Sequence, residues 1–307
     1  MPYSARMQGN HLYSLFFAPR GNVRMADLGM QIAQQYLSPF DKLIGVVGDA
    51  GSGKSMLIKG MFPGLELTND DEGVNVRPLP LMNIDDTGFY TPHTYHMDVR
   101  FESAFTQMHV LADSILEAIK KGKRVVVEHF DLIYPFLGRN AHLLLGVGEE
   151  VIITRPTLFG PEPQDVVDVV FKSIPYRLMA HTAEDLLEHC LLEYGKLDYE
   201  HADIRHGFIL SFEIKPELDF EDLERKVHEM IRQNLSISYL DDDHILIGDI
   251  KHHCTGPRMH ARNTREIKNF KLLHEFQREP ITNRYLLVGL VGEESDHRIS
   301  ALNKIEL

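Results

Sequence analysis

The stretch LIGVVGDAGSGKSMLIKGM, residues 43–61, decides how the chain folds and where its chemistry sits. Its opening residues form an apolar run of the kind expected for a strand buried on both faces, and residues 56–61 follow a helical pattern. Between them lie Gly48, Asp49, Ala50, Gly51, Ser52, Gly53, Lys54 and Ser55. The glycines let backbone N–H groups turn inward around phosphate oxygens. Lys54 can reach β- and γ-phosphates, and the Ser55 hydroxyl can hold Mg²⁺. Strand, glycine loop and helix in this order predict a P-loop for a nucleoside triphosphate, with ATP and Mg²⁺ the expected cofactors. The alternative is a bare glycine turn.

Upstream, residues 11–18 read as a strand and 25–36 as a helix. Downstream, 101–121 read as a long amphipathic helix ended by Gly122, RVVVEHF at 124–130 as a buried parallel strand, and 150–154 as another strand. Strands alternating with helices predict an α/β domain with a mostly parallel sheet. RPTLFGPEPQD, at 155–165, carries three prolines that interrupt regular structure, and the domain boundary is expected there, giving domains 1–160 and 161–307. Beyond it, helices at 181–194 and 220–234 and strands at 207–214 and near Ile245, Phe270 and Tyr285 predict an α+β domain with an antiparallel sheet.

With 32 basic and 45 acidic residues, the formal charge of −13 opposes nonspecific attraction to nucleic acid. Arg258, Arg262, Arg265, Lys268 and Lys271 form a local exception, either a solvated face or a patch for a tRNA end. No apolar run reaches the roughly 18 residues of a membrane span. MPYSARMQGN lacks the apolar core of a secretory signal, and the two cysteines, Cys190 and Cys254, lie far apart. A soluble cytoplasmic protein without a membrane partner is expected.

A P-loop enzyme needs a carboxylate opposite the phosphates. Glu128 closes the run Val125-Val126-Val127, at the carboxyl edge of a central strand where ligands of open α/β sheets bind. It reads as a magnesium or water-orienting group, or as an exposed strand-end acid. Asp85 and Asp86 are candidates for the base that activates an acceptor hydroxyl. His93 and His96 read more readily as exposed loop residues than as pocket residues, and Arg139 as a surface arginine rather than a transition-state cation. In the second half, His181 and Asp185 share a helix face, and Cys254 and His260 fall together downstream, a reasonable zinc shell. His252 and His253 are substitute ligands.

Asp85-Asp86-Thr87-Gly88-Phe89-Tyr90 and Val126-Val127-Glu128-His129 make the first domain resemble the uridine kinase and phosphoribulokinase group of P-loop kinases. Thr87-Gly88 interrupts the first motif of that group, and His129 replaces a glycine of the second. The resemblance implies phosphoryl transfer, with Lys54, Glu128 and Asp85 or Asp86 catalytic.

The second domain carries His181-Thr182-Ala183-Glu184-Asp185-Leu186-Leu187, then Ile247-Gly248-Asp249-Ile250, Cys254-Thr255-Gly256, His260, Asn263-Thr264-Arg265-Glu266-Ile267 and Phe270-Lys271-Leu272. In this order these motifs resemble the second additional domain of alanyl- and threonyl-tRNA synthetases and freestanding alanyl-tRNA editing proteins. The resemblance implies zinc held by His181, Asp185, Cys254 and His260 beside the end of an aminoacyl-tRNA. Asp185 stands at the family's second histidine, and two extra residues separate Cys254 from His260. Three functions follow as expectations: an ATP-dependent phosphotransferase or ATPase with a nucleoside or other small acceptor, a zinc-dependent aminoacyl-tRNA deacylase regulated by nucleotide, and a noncatalytic nucleotide-driven switch.

Overall fold

A computed structural model of the chain describes residues 13–68, 80–82 and 93–292. It divides into two compact units, Met1–Phe16 with Val23–Lys172, and Phe17–Asn22 with Ser173–Leu307.

The described elements of the first unit are β1 (Ser14–Phe17), α1 (Asn22–Tyr36), β2 (Leu43–Gly48), α2 (Lys54–Met61), β3 (Thr94–Asp98), α3 (Val99–Glu102), α4 (Met108–Lys120), β4 (Arg124–Glu128), α5 (Phe130–Leu137), β5 (Leu143–Val147), β6 (Glu150–Thr154) and the start of α6 (Pro163–Leu191). The strands form one sheet in the order β1-β6-β5-β2-β4-β3. β2 pairs in parallel with β4 and β5, and β3 with β4. Every residue of β2 and β5 is buried, which is why both read as continuous apolar runs rather than alternating ones. β6 runs antiparallel to β5. Only Gly148 and Glu149 separate the two strands, enough for a hairpin but far short of a parallel crossover.

Several expectations change: the strand expected over 124–130 ends at Glu128, and the helix expected over 181–194 is the last part of α6. The helix expected over 101–121 is two helices. Asp98 starts α3 by accepting a hydrogen bond from the Phe101 N–H at 3.0 Å, and the extended backbone of Gln107 restarts the chain into α4. The boundary expected near residue 160 falls at Lys172, inside α6. Pro163 occupies a helix start, where its missing N–H costs nothing. Val166 and Val170 of α6 pack into the first unit's core, whereas Met179, Ala183, Leu186 and Leu187 pack into the second's.

The second unit continues α6 and adds β7 (Glu200–Ile204), β8 (Gly207–Phe212), α7 (Phe220–Gln233), β9 (Ile237–Asp241), β10 (His244–Ile247), β11 (Ile250–His253), β12 (Lys271–Leu272), β13 (Gln277–Arg278) and β14 (Tyr285–Leu290). These strands make two sheets, β11-β10-β9 and β12-β14-β8-β7 with β13 beside β14, and their pairings are antiparallel. α7 starts at the Asp219 cap, whose carboxylate accepts from the Asp222 N–H, and ends at left-handed Asn234. An α/β unit with a mostly parallel sheet is therefore followed by a unit with antiparallel sheets. Among the described residues, no helix is long and apolar enough to cross a membrane.

Candidate functional site

The glycine loop joins the carboxyl end of β2 to α2. Gly48, Gly51 and Gly53 have φ of 148°, 76° and 94°, a region open to glycine at no steric cost. A Cβ on Gly48 would stand 2.6 Å from the Val147 carbonyl oxygen. No side chain caps the start of α2, and its first turn holds no acid. The loop thus ends at an uncapped helix start whose N–H groups and dipole favour an anion. Lys54 is buried and donates to the Asp49 carbonyl at 2.7 Å, folding its ammonium over the loop. Burial lowers the lysine's pKa, and Glu128, Asp98 and Asp49 act against that shift.

β4 and β3 end at the same sheet edge in Glu128 and Asp98, which are register partners. Ser55 Oγ donates to Glu128 Oε1 at 3.4 Å, so the two oxygens expected to share a magnesium ion face each other. Both are hard oxygen ligands, the donor type Mg²⁺ takes. His96 of β3 positions Glu128. Its Nδ1 accepts from the Thr68 backbone N–H at 3.0 Å, which leaves the proton on Nε2 for Glu128 Oε1, also at 3.0 Å. Burial pushes the Glu128 carboxyl up, but the bond from His96 and the charge of Lys54 outweigh it and hold the group ionised. His129 follows in a left-handed conformation. Burial and then Lys54 lower its pKa, which keeps it neutral near pH 7.

Asp85 and Asp86 lie outside the described residues. Arg139 is not at this edge. It bonds His142, whose Nδ1 accepts from the Lys42 and Leu43 N–H groups at the amino end of β2, roughly 15 Å along the strands. His93 is exposed, as the sequence suggests. His96 is the reverse, a buried partner of Glu128. Its reading as an exposed residue fails because Tyr95 to Asp98 are all buried, both faces of the strand being covered, whereas the alternation in TYHMD would leave His96 and Asp98 on a polar face. Asp98 was missed for the same reason.

The second unit gathers a buried polar cluster. Arg20, 2% exposed, donates from Nη1 to Glu184 Oε2 at 2.7 Å and from Nη2 to Asp185 Oδ1 and to Cys254 Sγ, the last at 3.1 Å. His260 Nε2 lies 2.6 Å from Asp185 Oδ2 and 3.7 Å from Cys254 Sγ. Three of the four residues expected to hold zinc therefore converge from positions up to 75 residues apart. The fourth, His181, faces Asp203, with Nε2 3.7 Å from Oδ1. Burial lowers His181 to about 4, and burial and then Arg20 lower His260 to about 3, leaving both rings neutral. Burial opposes ionisation of Glu184, but Arg20 and His201 bring it down to about 2.

This arrangement does not fit the expected zinc shell. The Arg20 guanidinium already supplies the cation between Asp185 and Cys254, and His181 is turned to another partner. Nothing local in FFAPRGN marks Arg20, because its partners stand 164, 165 and 234 residues away. The five cations between 258 and 271 are exposed, and the Arg258 guanidinium stacks on Tyr239 at 4.9 Å.

No family model matches this chain, and no curated protein matches it. Among solved structures, a crystal structure of YdiB from Bacillus subtilis aligns with 53% of this chain and 98% of its own, at 20% identity and a TM-score of 0.28.

Proposed function

We propose that the first unit is a P-loop domain that binds a nucleoside triphosphate with Mg²⁺ and transfers its terminal phosphoryl group to a small acceptor or to water. One observation carries the reading: the glycine loop, Lys54 and Ser55 face two buried carboxylates, Glu128 and Asp98, at one sheet edge. In this reading the loop N–H groups hold the phosphates and Lys54 exchanges the Asp49 carbonyl for a phosphate oxygen. Ser55 and Glu128 hold the magnesium ion, which when bound neutralises charge on the transferred group. Asp98, or Asp85 or Asp86, accepts the acceptor's proton.

The second unit, read as a synthetase-like second additional domain, then serves ligand recognition. The convergence of Asp185, Cys254 and His260 supports that reading. A zinc deacylase is the weaker alternative, because Arg20 fills the place its metal requires.

Purified protein with Mg²⁺ and ATP or GTP, incubated with a panel of nucleosides, is expected to release product at a rate that Lys54→Ala abolishes. Turnover retained in that variant would end the phosphotransferase reading. Tight binding without turnover under any acceptor would leave a nucleotide-responsive switch.

A further inference from the structure

One turn along α6 from Asp185, Glu188 meets His252 of β11 inside the second unit. His252 is 8% exposed, and its Nε2 is buried without a hydrogen-bond partner. That nitrogen lies 3.6 Å from Glu188 Oε2 and 3.8 Å from Asp185 Oδ1. One ligand atom from each residue falls within 4.8 Å of the other two. Two ligands of one tetrahedral ion at bond lengths of about 2.0–2.1 Å stand roughly 3.4 Å apart, close to the spacing seen.

Glu188 Oε1 also lies 3.3 Å from His201 Nδ1, which is itself 2.8 Å from Glu184 Oε1. Arg20 donates to Glu184, Asp185 and Cys254, and so shares Asp185 Oδ1 with this group of residues.

We propose that Asp185, Glu188 and His252 form a binding site for a divalent transition-metal ion of the zinc class. One imidazole and two carboxylates suit such an ion, and Cys254 takes no part. The site adjoins the Arg20-filled cluster, shares Asp185 with it, and adds Glu188 and His252, whose Nε2 has no hydrogen-bond partner. It does not depend on the nucleotide reading of the first unit.

The test uses Co²⁺ as a spectroscopic probe on the full chain after chelation. One equivalent is expected to bind with visible ligand-field bands and without a near-ultraviolet thiolate-to-cobalt band. Affinity is expected to fall more than about tenfold in His252→Ala and in Glu188→Gln, and to stay unchanged in Cys254→Ser. Continued protection of the thiols from alkylation checks that the histidine and glutamate variants remain folded. Three results overturn the proposal: no stoichiometric binding, binding that survives both His252→Ala and Glu188→Gln, or a thiolate band that vanishes in Cys254→Ser.

Discussion

Replacing Arg20 with methionine tests the cluster in the second unit most severely. Methionine fills similar volume but removes the guanidinium, leaving Glu184 and Asp185 buried without their cation. Removing one partner of a buried ion pair costs about 3–5 kcal/mol, a large part of the roughly 5–15 kcal/mol that holds a domain folded. With a urea slope of about 2 kcal/mol per molar, the unfolding midpoint should fall by roughly 1.5–2.5 M. The chain has no tryptophan, but both free cysteines are buried in this unit, so pulsed alkylation of Cys190 and Cys254 in urea, with metal chelated, follows this unit alone. Neutralising the carboxylates by Glu184→Gln with Asp185→Asn should erase the penalty, so that Arg20→Met in that background is neutral or stabilising. A midpoint shift below about 0.5 M in the single variant, or an equal loss in the neutralised background, would refute the reasoning.

His96→Ala should lower turnover about 10–100-fold with little change in nucleotide affinity, since the ring positions Glu128; a KM effect alone would count against that role. Arg139→Ala, at the opposite end of the strands, should leave turnover unchanged when measured beside it. Gly60→Ala should destabilise the first unit by about 1–3 kcal/mol or more, because its Cβ would stand 2.0 Å from the Ala26 carbonyl oxygen, and Gly29→Ala should do the same at 2.2 Å from that of Leu57. Thermal unfolding followed by circular dichroism would show it, and unchanged melting would mean that α1 and α2 do not cross so closely. Burial raises the Cys190 thiol to about 11. Its alkylation should therefore stay slow in native protein near neutral pH and become fast on unfolding.

The parts of the fold visible in the sequence are those with one dominant local signal. The apolar run before the glycine loop, RVVVE before His129, and the helical pattern at 220–234 all carry their signal within a few residues. The strand Leu143–Val147 passes unremarked because LLLGV, short and wholly buried, has no period of its own. The proline-rich stretch at 155–165 breaks structure as expected, yet it is not the boundary, because Val166 and Val170 beyond it still pack into the first core. At the sites, Lys54, Ser55 and Glu128 are legible because one loop and one strand end position them. His96 and Asp98 are not, because their roles arise from the register of β3 against β4. Arg20 is the extreme case, a residue defined by partners more than 160 positions distant.

The most direct test of the central claim is calorimetric titration of the full chain with ATP and with GTP in the presence of Mg²⁺, alongside Lys54→Ala and Glu128→Gln. One molar equivalent of nucleotide is expected to bind the native protein. Lys54→Ala should weaken binding strongly, and Glu128→Gln should remove most of its dependence on Mg²⁺. Binding of neither nucleotide, or equal binding by the Lys54→Ala variant, would contradict the account.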